Sequence, residues 1–146
     1  MTETERLTKV LTELLDDVHT RQRDIVNGLM APQLVSVDEN RQSATFRYVA
    51  LPWETNRVGG LHGGVMASML DHACGLTVTA YIGHWAPTMS LNMEYILPAS
   101  IGDSLLVTAW AVAVGRRTIR MRGEINSEAT GKLIATCTAS FFNKEA

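Results

Sequence analysis

The sequence predicts an α+β fold in which a curved, mostly antiparallel sheet of about six strands wraps around one central helix, with an extra helix at the N-terminus. Three patterns lead there. An apolar stripe of helical period opens the chain. The stretch from Gly63 to roughly Tyr81 is apolar on nearly every side. Short alternating runs flank that stretch, two before it and four after it, and this order sets the helix against one face of an antiparallel sheet.

Taken in order, Leu7, Val10, Leu11, Leu14, Leu15 and Val18 follow i, i+3, i+4, i+7, i+8 and i+11 spacing, which marks an amphipathic helix with one buried stripe. This helix is expected to end before Asn27-Gly28, making residues 1–28 a helical extension of a single domain that spans 1–146. Two alternating runs between Gln33 and Ala50 are separated by Asp38-Glu39-Asn40-Arg41, a hairpin that places Ala44, Phe46 and Tyr48 on one face. A polar loop with Pro52, Asn56 and Gly59-Gly60 follows. A helix that is apolar all round is a buried one, so Gly63–Tyr81 becomes the central element. The later strands are Thr88–Leu97, Ser104–Val114, Thr118–Ile125 and Lys132–Phe142, with turns at Pro98–Gly102, Gly115 and Ala129–Gly131. One helix covers only one face of such a sheet. Oligomerisation or the N-terminal helix must cover part of the rest.

A chain of 146 residues can bury a core without disulfides or metals, and 46% hydrophobic with 19% charged residues is ordinary globular composition. A formal charge of −2 argues against a broad nucleic-acid surface. The two cysteines, Cys74 and Cys137, stand in apolar surroundings without CxxC spacing, which fits a reducing cytoplasm. Five acids by Asp17, no apolar leader segment and no long uninterrupted apolar run give the expectation of neither secretion nor membrane insertion.

Asp71 is the only acidic residue between Glu54 and Glu94, and it sits inside the most apolar stretch. A buried carboxylate costs several kcal/mol unless paired, so it either caps a loop or pairs with Arg57, or it serves a reaction. Just before the helix stands Leu61-His62-Gly63-Gly64. Glycines at a helix start admit a ligand close to the backbone, and first-turn N–H groups without internal partners can face an oxygen that gains negative charge. An ordinary glycine-rich turn has the same letters. His72 and His84 beside Asp71 and Cys74 make a poor metal set, because adjacent helical residues point about 100° apart. No metal is expected.

The run Asn56-Arg57-Val58-Gly59-Gly60-Leu61-His62-Gly63-Gly64, then Met69-Leu70-Asp71, Ser90-Leu91-Asn92-Met93-Glu94-Tyr95, Pro98-Ala99 and Gly102-Asp103, resembles the PaaI-like branch of hotdog-fold acyl-CoA thioesterases. The resemblance spans Asn56 to Phe142. It implies that the Gly63 N–H and the Asn56 side chain polarise a thioester carbonyl, with His62 near the carbonyl or the leaving sulfur. Asp71 would be the general base or the nucleophile, and Ser90 would position the water or the carboxylate. Gly64 and the Gly115-Arg116-Arg117-Thr118 connection are expected to contact substrate, the latter along the pantetheine arm of CoA. CoA is part of the acyl-CoA substrate, and no separate cofactor is implied. Aromatic or medium-chain acyl groups fit the family, and Met66, Met69, Met89 and Met93, with Trp53 and Trp85, are candidates to line their pocket.

Gly63 and Asp71 are eight residues apart, about 12 Å along a helix at about 1.5 Å per residue. If both act on one carbonyl, Asp71 must come from a second subunit whose central helix runs antiparallel across a two-fold axis. A homodimer is thus the expected catalytic unit, and a homotetramer the expected assembly. A hotdog hydratase or dehydratase, and a non-catalytic acyl-CoA-binding module, are the alternatives. Thiol release from a saturated acyl-CoA separates the first, and the presence of Asp71 argues against the second.

Overall fold

The computed structural model describes residues 1–144. Helix α1, Glu3–Thr20, opens on a reciprocal cap in which the Thr2 hydroxyl accepts the Glu5 N–H and the Glu5 carboxylate accepts the Thr2 N–H. Its stripe of Leu7, Leu11, Leu15 and Val18 is buried, as the spacing requires. The helix ends before Asn27-Gly28. Those two residues, however, sit inside a one-turn helix α2, Val26–Leu29, and do not form an open turn. A Cβ on Gly28 would lie 2.0 Å from the Gln22 carbonyl oxygen, so the glycine is there to let two backbone segments touch.

Strands β1 (Gln33–Asp38) and β2 (Ser43–Val49) form the expected hairpin, with Ala44, Phe46 and Tyr48 buried. After one 3-10 turn, Pro52–Glu54, comes α3, Gly63–Ile82, which Gly83 terminates in the left-handed region at φ 83°. Then follow β3 (Thr88–Tyr95), β4 (Ser104–Val114), β5 (Thr118–Ser127) and β6 (Leu133–Phe142). They make one antiparallel sheet of order β1-β2-β4-β5-β6-β3. Since β6 lies between β5 and β3, the strand that follows α3 becomes an edge.

Helix α3 is long and apolar enough to cross a bilayer by composition, yet it lies across the inner face of the sheet with Met69, Leu70, Ala73, Cys74 and Ala80 inaccessible. The sheet makes room for it. A Cβ on Gly123 of β5 would come within 2.7 Å of Leu70 Cδ2 and 3.1 Å of Cys137 Sγ, so glycine at this strand position sets how closely the helix approaches. Helix α1 packs against both β1 and α3. Extra residues interrupt the pairing between Leu34 and Ser36, Thr88 and Ser90, and Ala111 and Ala113. Such bulges bend strands and raise their twist, which is how the sheet curls around the helix.

Candidate active site

The loop from Thr55 to Leu61 closes on itself through a bridge between those two residues, and Gly60 bridges to Ser100. Inside it the Asn56 Oδ1 accepts two N–H groups, from Val58 and Gly60, both at 2.9 Å. This fixes the amide plane and leaves the Nδ2 donors without an acceptor among the described residues. The loop delivers the chain to His62, the N-cap of α3, whose N–H donates to the Glu54 carbonyl at 2.8 Å.

His62 caps the helix through one ring nitrogen. Its Nδ1 accepts the Gly64 N–H at 2.9 Å, so the imidazole caps the helix and withdraws the Gly64 donor from any substrate. The Gly63 N–H keeps no acceptor among the described residues. One first-turn donor therefore remains open where the sequence offered two. Tyr95 donates its hydroxyl to the Gly63 carbonyl at 2.6 Å, and a Cβ on Gly63 would meet that ring at 3.3 Å. Both glycines also serve packing, the second against the imidazole at 3.1 Å.

Asp71 lies eight residues along an unbroken helix, about 12 Å from Gly63 by the helix rise. It is half-buried, not sealed in the core, and it takes part in no ion pair among the described residues; Arg57 is exposed. Its Oδ1 accepts the Thr88 hydroxyl at 2.7 Å, and the carboxylate faces a cavity of about 340 Å³ between α1, α3 and the start of β3. A carboxylate held by one oxygen and open at the other can take a proton from water or attack a carbonyl.

Ser90 does not hold Asp71. The extra residue in β3 is Met89: Thr88 pairs with Phe141 while Ser90 pairs with Ser140. The bulge sends Ser90 to the outer face, where its hydroxyl meets that of Ser140, and leaves Thr88 turned toward α3. Of the four methionines none lines this cavity, and Met66 and Met69 are in the core. Trp85 does line it, and Trp53 does not.

Arg116 and Arg117 are exposed in the turn between β4 and β5, closed by the Gly115 N–H donating to the Thr118 carbonyl at 2.9 Å. Thr118 pairs with Phe142, whose N–H donates to Pro87, so this turn lies on the same end of the sheet as Thr88.

Two further groups gave little sign in the sequence. Glu54 is wholly buried, with Oε1 accepting the Leu51 N–H and Oε2 without a hydrogen bond among the described residues; burial pushes its carboxyl up. His72 is buried with Nδ1 3.1 Å from the Tyr48 hydroxyl, and desolvation lowers its imidazole to about 4. Beside Asp71 it is a neutral core residue.

A model of the thioesterase superfamily matches residues 58–134, just over half of the chain, including the Gly63 turn and Asp71. The chain belongs to the thioesterase superfamily. Acyl-coenzyme A thioesterase 13 from Homo sapiens is 32% identical over 83 residues, 56% of this chain and 59% of the relative. The chain thus spans less than two thirds of the length of the curated relatives it matches. Among solved structures, a phenylacetic acid degradation-related protein from Ralstonia eutropha JMP134 is 30% identical, with 90% of this chain and 98% of that one covered at a TM-score of 0.75. The PaaI protein of E. coli superposes at a TM-score of 0.81 over 97% and 95% of the two chains, and at 18% identity that likeness is one of fold. Both the hotdog architecture and the PaaI-like family assignment hold.

Proposed function

We propose that this protein hydrolyses acyl-CoA thioesters, with aromatic or medium-chain acyl groups, to the free acid and CoA at a site shared by two copies of the chain. The observation that carries the reading is on α3: an open N–H at Gly63 and a cavity-facing carboxylate at Asp71, separated by about 12 Å. One chain alone cannot bring both to one carbonyl carbon. A two-fold axis that sets two α3 helices antiparallel does so, and the free edge of β3, with Met89, Tyr95 and Ile96 about half exposed, offers the surface for such pairing.

In this site the Gly63 N–H and the Asn56 Nδ2 hold the thioester oxygen as it gains charge. Asp71 of the other copy, steadied by Thr88, removes a proton from water as it adds to the carbonyl, or attacks the carbonyl itself and is released by water. The bond to sulfur breaks and CoA leaves as the thiol. His62 acts through the helix cap, and Arg116 and Arg117 supply cations for the CoA phosphates.

The test is thiol release from a panel of saturated acyl-CoAs. Asp71→Asn is expected to lower kcat by at least about a hundredfold with fold and mass unchanged, as loss of a general base does. Near-normal turnover by that variant removes Asp71 from the mechanism.

A further inference from the structure

On the thioesterase reading, we infer that Tyr95 is a positioning residue for the oxyanion donor: from the end of β3 it fixes the peptide that follows Gly63 and so aims the Gly63 N–H at the thioester oxygen. Two peptide groups meet at the Gly63 Cα. The carbonyl of the first, on His62, accepts the Val65 and Met66 N–H groups at 3.0 and 3.1 Å. The second is gripped at both ends, its carbonyl by the Tyr95 hydroxyl at 2.6 Å and its N–H by the His62 Nδ1 at 2.9 Å. Among the described residues every polar group of these two peptides is thus engaged except the Gly63 N–H. Glycine has more backbone freedom than any other residue, and with both its peptides held Gly63 keeps one φ and one ψ.

Of these ties, the one from Tyr95 alone comes from outside the turn. The others join close neighbours in the chain, whereas Tyr95 is 32 residues away and is anchored in the sheet, where it pairs with Ala135 of β6. Nor is it a core filler: Tyr95 is 52% exposed, while Tyr48 is wholly buried. Its ring lies against Gly63, where an added Cβ would meet Cζ at 3.3 Å and the hydroxyl oxygen at 3.4 Å. Glycine and tyrosine are therefore matched, since a side chain at position 63 pushes the ring and its hydroxyl away from the carbonyl. A donor held in this way needs no reorganisation as charge develops on the oxygen, which is where such a donor gains its effect.

The experiment uses Tyr95→Phe, which keeps the ring and removes the hydroxyl, with fold and mass checked. In thiol release from octanoyl-CoA, kcat should fall about three- to tenfold, the effect of losing one hydrogen bond between neutral groups. KM should stay near the wild-type value, because the bond holds the donor and not the substrate. The second readout is the infrared carbonyl stretch of octanoyl-CoA, isotope-labelled at the carbonyl and bound to the slow variant Asp71→Asn. Polarisation by the Gly63 N–H lowers that band, and adding Tyr95→Phe should move it back toward its position in solution, a shift that a merely structural hydroxyl would not produce. A kcat within about twofold of wild type, or a band at the same position with and without the hydroxyl, overturns the inference. If the wild type releases no thiol from any acyl-CoA, the thioesterase reading falls and this inference with it. Normal hydrolysis with an unmoved band overturns the inference alone.

Discussion

Thr88→Val removes one hydroxyl and keeps the branched shape at Cβ, so it isolates the hydrogen bond that Asp71 Oδ1 accepts at 2.7 Å. Hydrogen bonds to charged groups are worth about 1.5–3 kcal/mol. Thr88 is exposed and Asp71 half-buried, so water replaces part of what is lost and the lower figure, about 1.5 kcal/mol, applies. At about 1.36 kcal/mol per factor of ten, kcat should fall about tenfold. Ser90→Ala alters the outer face against Ser140 and should stay within about 0.5 kcal/mol, or about twofold. Both are read as thiol release at saturating acyl-CoA, with secondary structure checked by circular dichroism. In an Asp71→Asn background the Thr88 change should cost little more, because its charged partner is already gone. A larger loss from Ser90→Ala than from Thr88→Val refutes the reasoning, and places the bulge at Met89 elsewhere in the active enzyme.

The shared site is tested by complementation. Asn56→Asp keeps the Oδ1 that closes the loop and removes the Nδ2 donors; mixed in equal amounts with Asp71→Asn under subunit exchange, it should restore about a quarter of wild-type activity, since half the dimers then hold one intact site. Activity no higher than that of the separate variants, with exchange verified by mass, rules out the two-chain arrangement. His72 predicts a pH dependence of stability. Its imidazole is lowered from about 6.5 to about 4, so the stability it contributes is present above about pH 6.5 and is lost as pH falls toward 4, by up to about 3 kcal/mol. His72→Gln should flatten that limb in urea melts at about pH 7 and about pH 4.5, and parallel behaviour of the two proteins would exclude His72 as its source.

Much of the candidate site could be read from the chain because the relevant quantities are local. The spacing of Gly63 and Asp71 on a helix needs only the rise per residue, and it survives because α3 begins at Gly63 and has no break at Gly75. Glycines at a helix start leave N–H groups open on any fold. Which donor stays open was not local in the same sense: it depends on the His62 ring turning back to Gly64. Glu54 stands between Trp53 and Thr55 in a polar loop, and only the assembled fold covers its carboxyl.

The sequence by itself determined the order of the elements, the buried helix and the inward faces of β2 and β6, because apolar residues recurring at fixed periods must all turn to one side. Tertiary structure alone decided which hydroxyl meets Asp71. Strict alternation places Thr88 and Ser90 on the same face of a strand, and the letters do not choose between them. Pairing with β6 inserts Met89 as an unmatched residue, and one extra residue in a period of two turns Ser90 outward while Thr88 stays facing the helix.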